Sequence, residues 1–169
     1  MTDERTKQLE DIGRNAYESI AEMVAALTLD WDRLEELQEE RDDWEPDDND
    51  GQQWDEANED DAAELAELLE AKGDCDDRED AEQSIHEDPL SLQVRSDWQD
   101  LNEDLDPHEY CLLLTTGGPA VRIVGELGQF FEPHSARLEV QDWFTPWTVY
   151  EDADEDVLLD YARCFYFGE

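Results

Sequence analysis

Between Asp30 and Asp106 the chain carries 33 acidic residues and only 5 basic ones, a net charge of −28 on 77 residues. Such a segment repels itself, and it stays unfolded unless enough apolar surface is buried to offset the repulsion. Any fold must turn these carboxylates outward and build its core from few large apolar residues. The flanks are milder, at −3 over residues 1–29 and −9 over residues 107–169, which completes the total of −40. Apolar runs lie in the last of these, at Tyr110–Leu114 and Val121–Val124. The reading is an acidic helical region over residues 1–88 followed by a small α+β domain over residues 89–169.

The same imbalance excludes several partners. DNA, RNA and an anionic membrane surface would all repel this chain. No run of about 18 apolar residues is present to span a bilayer. Met1-Thr-Asp-Glu-Arg5 lacks the basic and then apolar layout of a signal peptide. Cys75, Cys111 and Cys164 are odd in number, far apart and without CxxC spacing, which fits reduced thiols in a cytoplasm.

Hydrophobic spacing supplies the elements. Leu9, Ile12, Ala16, Ile20, Met23, Val24 and Leu27 share one face of a helix over residues 4–28, a core face or alternatively a dimer seam. Gly13 weakens that helix slightly. Asp30 can cap a second helix running through Trp31, Leu34 and Leu37 to Arg41, and Pro46 with Asp47–Gly51 forms a turn. A third helix is expected from Trp54 or Asp55 to Lys72, with Ala62, Leu65, Ala66, Leu68 and Leu69 inward and Gly73 at its C-cap. Its other side holds Asp60, Asp61, Glu64, Glu67 and Glu70, whose i,i+3 and i,i+4 repulsion must be overcome by packing. A short helix at Glu79–His86 follows.

From Pro89 the period becomes two. Leu90, Leu92 and Val94 predict a half-buried strand. Glu109–Thr115 and Ala120–Leu127 predict a hairpin about Thr116-Gly-Gly-Pro119, and Leu138 and Val140 mark a strand within Ala136–Asp142. A closing helix from Asp154 carries Val157, Leu158, Tyr161, Ala162 and Phe165 on its apolar side. The fold class is therefore α+β: an acidic helical N-terminal half, then an antiparallel sheet of three or four strands covered by a C-terminal helix.

Motifs for chemistry are lacking. Placing Gly51 at position 6 of a calcium loop puts Pro46 at position 1 and Ala57 at position 12, so the pattern fails, and Asp74–Asp80 lacks the glycine. Thr116–Pro119 has no following Lys-Ser/Thr and is no P-loop. His86, His108 and His134 show no paired-ligand spacing. Cys111 reads as core; Cys164 lies near Arg163 but has no identifiable catalytic partner. Neither a catalytic residue nor a metal or cofactor is expected. Trp98, Trp143 and Trp147 read as core of the β part. Trp31, Trp44 and Trp54 read as the scarce apolar residues that hold the acidic helices together. A sharper reading makes Trp44 or Trp54 an aromatic anchor for a partner.

Pro89–Ser96, Thr116–Leu127, Gln141-Asp-Trp143, Thr145–Thr148 and Tyr161–Gly168 resemble a family of small proteins carried by bacterial phages and plasmids. The likeness spans roughly the last 80 residues and implies a mobile genetic element in a bacterial cytoplasm; the family has no assigned reaction. Residues 30–106 are similar in composition to anti-restriction and anti-CRISPR proteins that imitate DNA. The expected role is a non-enzymatic inhibitor that fills the basic groove of a DNA- or RNA-binding defence protein, either a restriction nuclease or a CRISPR complex. Asp42, Asp43, Asp47, Asp48, Asp50, Asp55, Glu56, Asp60, Asp61, Glu64, Glu67, Asp74, Asp76, Asp77 and Asp80 would act collectively. The alternatives are an acidic chaperone for a basic partner and adaptation to a salt-rich cytoplasm. Only Lys7 and Lys72 are lysines, as salt adaptation would favour. A homodimer remains compatible with every reading.

Overall fold

The computed structural model describes residues 2–45, 52–98, 100 and 106–168. Its helices are α1 (Thr2–Leu27), α2 (Trp31–Asp42), α3 (Trp54–Ala57), α4 (Glu59–Lys72), α5 (Arg78–Glu87) and α6 (Glu155–Ala162). Its strands are β1 (Ser91–Arg95), β2 (Glu109–Thr115), β3 (Ala120–Glu126), β4 (Arg137–Gln141) and β5 (Thr148–Val149). The class is α+β, as the hydrophobic spacing predicts. Two compact units are formed, one from Met1–Val24 with Glu82–Glu169 and the other from Ala25–Ala81. The division therefore does not fall at residues 88 and 89: the first helix belongs with the sheet, because its Ile20 is buried as core rather than left on an acidic surface.

In the Ala25–Ala81 unit, Asp30 caps α2 by accepting from the Arg33 backbone N–H at 3.1 Å. Leu34 and Leu37 of α2, Trp54 of α3 and Leu65 of α4 form a small buried cluster, flanked by Leu29, Trp31, Ala62, Leu68 and Leu69. The expected third helix is broken at Asn58, which ends α3 and starts α4, and Gly73 ends α4 at a positive φ of 54°. Ala66 is exposed rather than inward, because the buried stripe of α4 is narrow and centred on Leu65.

The other unit is built on a five-stranded antiparallel sheet in the order β1-β2-β3-β4-β5, one or two strands more than expected. Tyr110, Leu112 and Leu114 of β2, Val121 and Ile123 of β3, and Leu138 and Val140 of β4 are buried, as are Leu158, Leu159, Tyr161 and Ala162 of α6. Asp154 caps α6 through the Asp156 N–H at 2.9 Å. Two glycines permit close approaches. A Cβ on Gly13 would come within 2.5 Å of the Tyr150 ring, so the helix-weakening residue is a packing site. A Cβ on Gly125 would collide with the carbonyl oxygen of Ser135, which also accepts the Tyr110 hydroxyl at 2.9 Å.

The opposite face of the sheet is polar. Register places Cys111, Val124 and Arg137 in one row and Leu113, Arg122 and Glu139 in the next. Cys111 thus lies half-buried on the polar face and not in the core, because the core parity belongs to Tyr110 and Leu112. Glu139, only 7% exposed, accepts from Arg122 (Nε, 2.8 Å) and Arg137 (Nε, 2.9 Å), and Trp147 stacks over the Arg122 guanidinium at 4.1 Å. Trp147 is consequently half-buried, while Trp143 and Trp98 are exposed. Trp143 lies on Gly118 of the hairpin turn and covers backbone instead of filling a core. Leu90, Leu92 and Val94 are also exposed rather than half-buried, since β1 forms an edge that no element covers among the described residues.

Two outcomes follow from these contacts. Gly125→Ala should destabilise the sheet unit by about 1–3 kcal/mol, because backbone rather than a flexible side chain must move; urea denaturation gives the value. Burial opposes ionisation of Glu139, but hydrogen bonds from Arg137 and Arg122 outweigh it and hold the carboxyl below its ordinary value of 4.5. A depressed carboxyl contributes stability above its unfolded value and loses it as pH falls through the folded one. Glu139→Gln should therefore cost about 1–3 kcal/mol at pH 7, a difference that shrinks below pH 4.5. A difference independent of pH would remove the carboxylate from the account.

Candidate functional site

The acidic surface of the Ala25–Ala81 unit is built on α2 and α4, which contact each other around the small core. With Leu34 and Leu37 turned inward, α2 exposes Asp32, Glu35, Glu36, Glu39, Glu40 and Asp42. Around the inward Leu65, α4 exposes Glu59, Asp60, Glu64, Glu67 and Glu70 and half-exposes Asp61. The acids in the first turn of α4 face its positive dipole end, which favours them there.

One cation crosses between the helices. Arg33 of α2 donates to Glu64 (2.9 Å) and Asp61 (3.1 Å) of α4 and to Glu36 (2.8 Å) of its own helix. The hydrogen bonds it donates to Glu64 and Glu36 raise the guanidinium pKa further, so it stays charged at any working pH. Sequence reasoning passed over this residue. The available signal was that an arginine inside a long acidic run must be surrounded by carboxylates.

The expected site residues that the structure describes fall into three groups. Asp61 and Glu64 are tied to Arg33, and Asp42 to Arg41 at 3.0 Å. Asp77 and Asp80 serve the start of α5: Asp77 accepts from the Asp80 N–H at 2.9 Å, and Asp80 from the Asp76 N–H at 3.1 Å. Asp43, Asp55, Glu56, Asp60, Glu67, Asp74 and Asp76 are exposed, and their carboxylates make no described ion pair. Glu56, Asp60 and Asp61 line one shallow concavity at the α3–α4 junction. Asp47, Asp48 and Asp50 lie outside the described residues.

The two candidate anchors separate clearly. Trp54 is 6% exposed and packs on Leu34, Leu37 and Leu65, so it is core and cannot reach a partner. Trp44 is 38% exposed, with its indole N–H 3.5 Å from the Gln52 carbonyl. Other exposed rings were not anticipated: Phe130, Phe144 and Tyr166 in the sheet unit. Phe130 and Phe144 sit at φ of 61° and 64°, a left-handed conformation that costs about 1–3 kcal/mol for such a residue. No sequence pattern announces that strain.

The three thiols are all held toward their protonated form. Burial, reinforced by Glu82 and Asp160, pushes the Cys164 thiol up to about 11, which disfavours the thiolate near neutral pH. Burial raises the Cys75 and Cys111 thiols as well. Among the described residues no three His, Cys, Asp or Glu side chains converge as a metal would require, and no helix is long and apolar enough to cross a membrane. No family model, curated protein or solved structure matches the chain.

The tryptophan assignment has a direct check. Trp54→Ala should cost about 3–5 kcal/mol, whereas Trp44→Ala should change stability by no more than about 0.5 kcal/mol. Thermal unfolding of both variants, followed by far-UV circular dichroism, distinguishes them. Equal costs would contradict the assignment.

Proposed function

We propose that the protein imitates nucleic acid and blocks the basic groove of a DNA- or RNA-binding defence protein, without catalysing a reaction. The observation that carries this reading is charge spacing. At 1.5 Å per residue, α2 and α4 are roughly 18 and 21 Å long, and each carries six acids. That is about one carboxylate per 3–3.5 Å of helix, against one phosphate per 3.4 Å on each strand of a duplex. Net of Arg33, Arg41 and Lys72, the pair carries −9. A groove lined with Lys and Arg to receive phosphates would receive these carboxylates in their place, and steering would speed the encounter.

The resemblance of the last 80 residues to proteins of phages and plasmids supports a mobile element acting in the cytoplasm of a bacterial host. A restriction nuclease or a CRISPR complex is then the natural target. Salt adaptation would coat every surface, whereas here −28 of the −40 lies in residues 30–106. An acidic chaperone would need no regular spacing. The acids act together, so single Asp→Asn changes should do little.

The test is a pull-down of tagged protein from bacterial lysate at about 0.1 M salt, where surface charges act over about 10 Å, eluted with short duplex DNA. A defence nuclease or CRISPR complex released by the DNA is expected, and it should be lost when Asp55, Glu56, Asp60 and Glu67 are changed together to their amides. A spread of ribosomal and other basic proteins, indifferent to DNA, would overturn the reading.

A further inference from the structure

The two edges of the sheet are unlike. β5 is two residues long and follows Pro146, features that blunt an edge. β1 has five residues, pairs with β2 along its whole length and has no strand on its outer side among the described residues. Register sets Leu92 beside Leu112 and Val94 beside Tyr110, both buried. The core-facing side of the sheet therefore runs out onto β1, yet Leu90, Leu92 and Val94 are 59%, 45% and 49% exposed. Charge is equally unusual there. Pro89–Ser96 contains no acidic residue, although Asp88 and Asp97 bracket it. An open apolar strand of this kind is a template for another strand.

We propose that β1 is a self-pairing edge, on which a second copy of this chain adds its own β1 antiparallel about a two-fold axis at Gln93. In that register Leu92 of one copy faces Val94 of the other, and Ser91 faces Arg95. Beyond them Pro89 faces Asp97, and Asp88 faces Trp98, so no carboxylate opposes a carboxylate. The two apolar stripes join across the axis and cover each other, as an isologous contact requires. A basic partner fits this strand poorly: the strand offers no carboxylate, and its one charge, Arg95, already paired with Glu109, would repel it. A second copy instead supplies an acid-free, alternating strand of the right length.

The inference is independent of the nucleic-acid reading, and salt tells the two apart. Each copy carries −40, so self-pairing works against long-range repulsion and should strengthen as salt screens it. Binding to a basic groove should weaken instead. Sedimentation velocity over a range of protein concentrations, at about 0.05 and 0.5 M NaCl, reads the outcome. A dimer favoured by salt is expected. Gln93→Glu would set two like charges against each other at the axis and should raise its dissociation constant by up to about fivefold. Leu92→Glu with Val94→Glu should abolish the dimer while leaving the circular dichroism spectrum unchanged, since both side chains are exposed. A monomer at every concentration and both salts would overturn the proposal. So would a dimer indifferent to these substitutions, which would place the seam elsewhere, for example on α1.

Discussion

Carboxylates spaced one helical turn apart destabilise a helix by about 0.2–0.5 kcal/mol per pair, and α2 and α4 accumulate many such pairs. What opposes this in the Ala25–Ala81 unit is a small set of contacts: Leu34, Leu37, Trp54 and Leu65 buried together, and Arg33 reaching Asp61 and Glu64 across the helices. Each fully buried side chain contributes about 1.5–3 kcal/mol, so the core can hold the helices only because the acids face solvent, where repulsion is screened. The ordered acidic surface, and the function proposed for it, depend on that balance. Losing the core would turn a patterned array into a flexible polyanion, which lacks the fixed spacing a groove can recognise.

The sheet unit handles charge differently. Its polar face keeps Arg122 and Arg137 around one buried carboxylate, Glu139, and stacks Trp147 on Arg122. Its exposed surface is marked by aromatic rings, two of them held in left-handed backbone, and by an apolar strand edge. An acidic surface and an apolar edge attract different partners under opposite salt dependence.

Much of this was legible in the sequence, and the limits have physical causes. Periodicity placed α1, α2, α6 and the β2–β3 hairpin, because each buries a stripe with helical or strand spacing. It also marked the Asp30 cap, the start of the closing helix at Asp154 and the Gly73 helix end. It failed where burial depends on a neighbour rather than a pattern. Leu92 and Val94 alternate like any half-buried strand, and nothing local reveals that no described element covers β1. Trp54 and Trp44 stand in similar acidic surroundings, and only the packing of α3 on α2 and α4 makes one core and the other surface. For the acids, composition indicated a collective surface but could not separate those held by Arg33 from those left free, because that contact joins residues about thirty apart.

A patterned acidic surface requires that α2 and α4 stay folded, without a partner and without high salt, against their own charge. Amide hydrogen exchange at about 0.02 M salt, where the Debye length exceeds 20 Å, measures this directly. Protection at Leu34, Leu37, Leu65 and their neighbours, comparable to that of Leu112 and Ile123 in the sheet, is the predicted result. Exchange at unfolded rates in residues 30–72 while the sheet stays protected would contradict it: the acidic array would then be no ordered surface, and the spacing argument would fall with it.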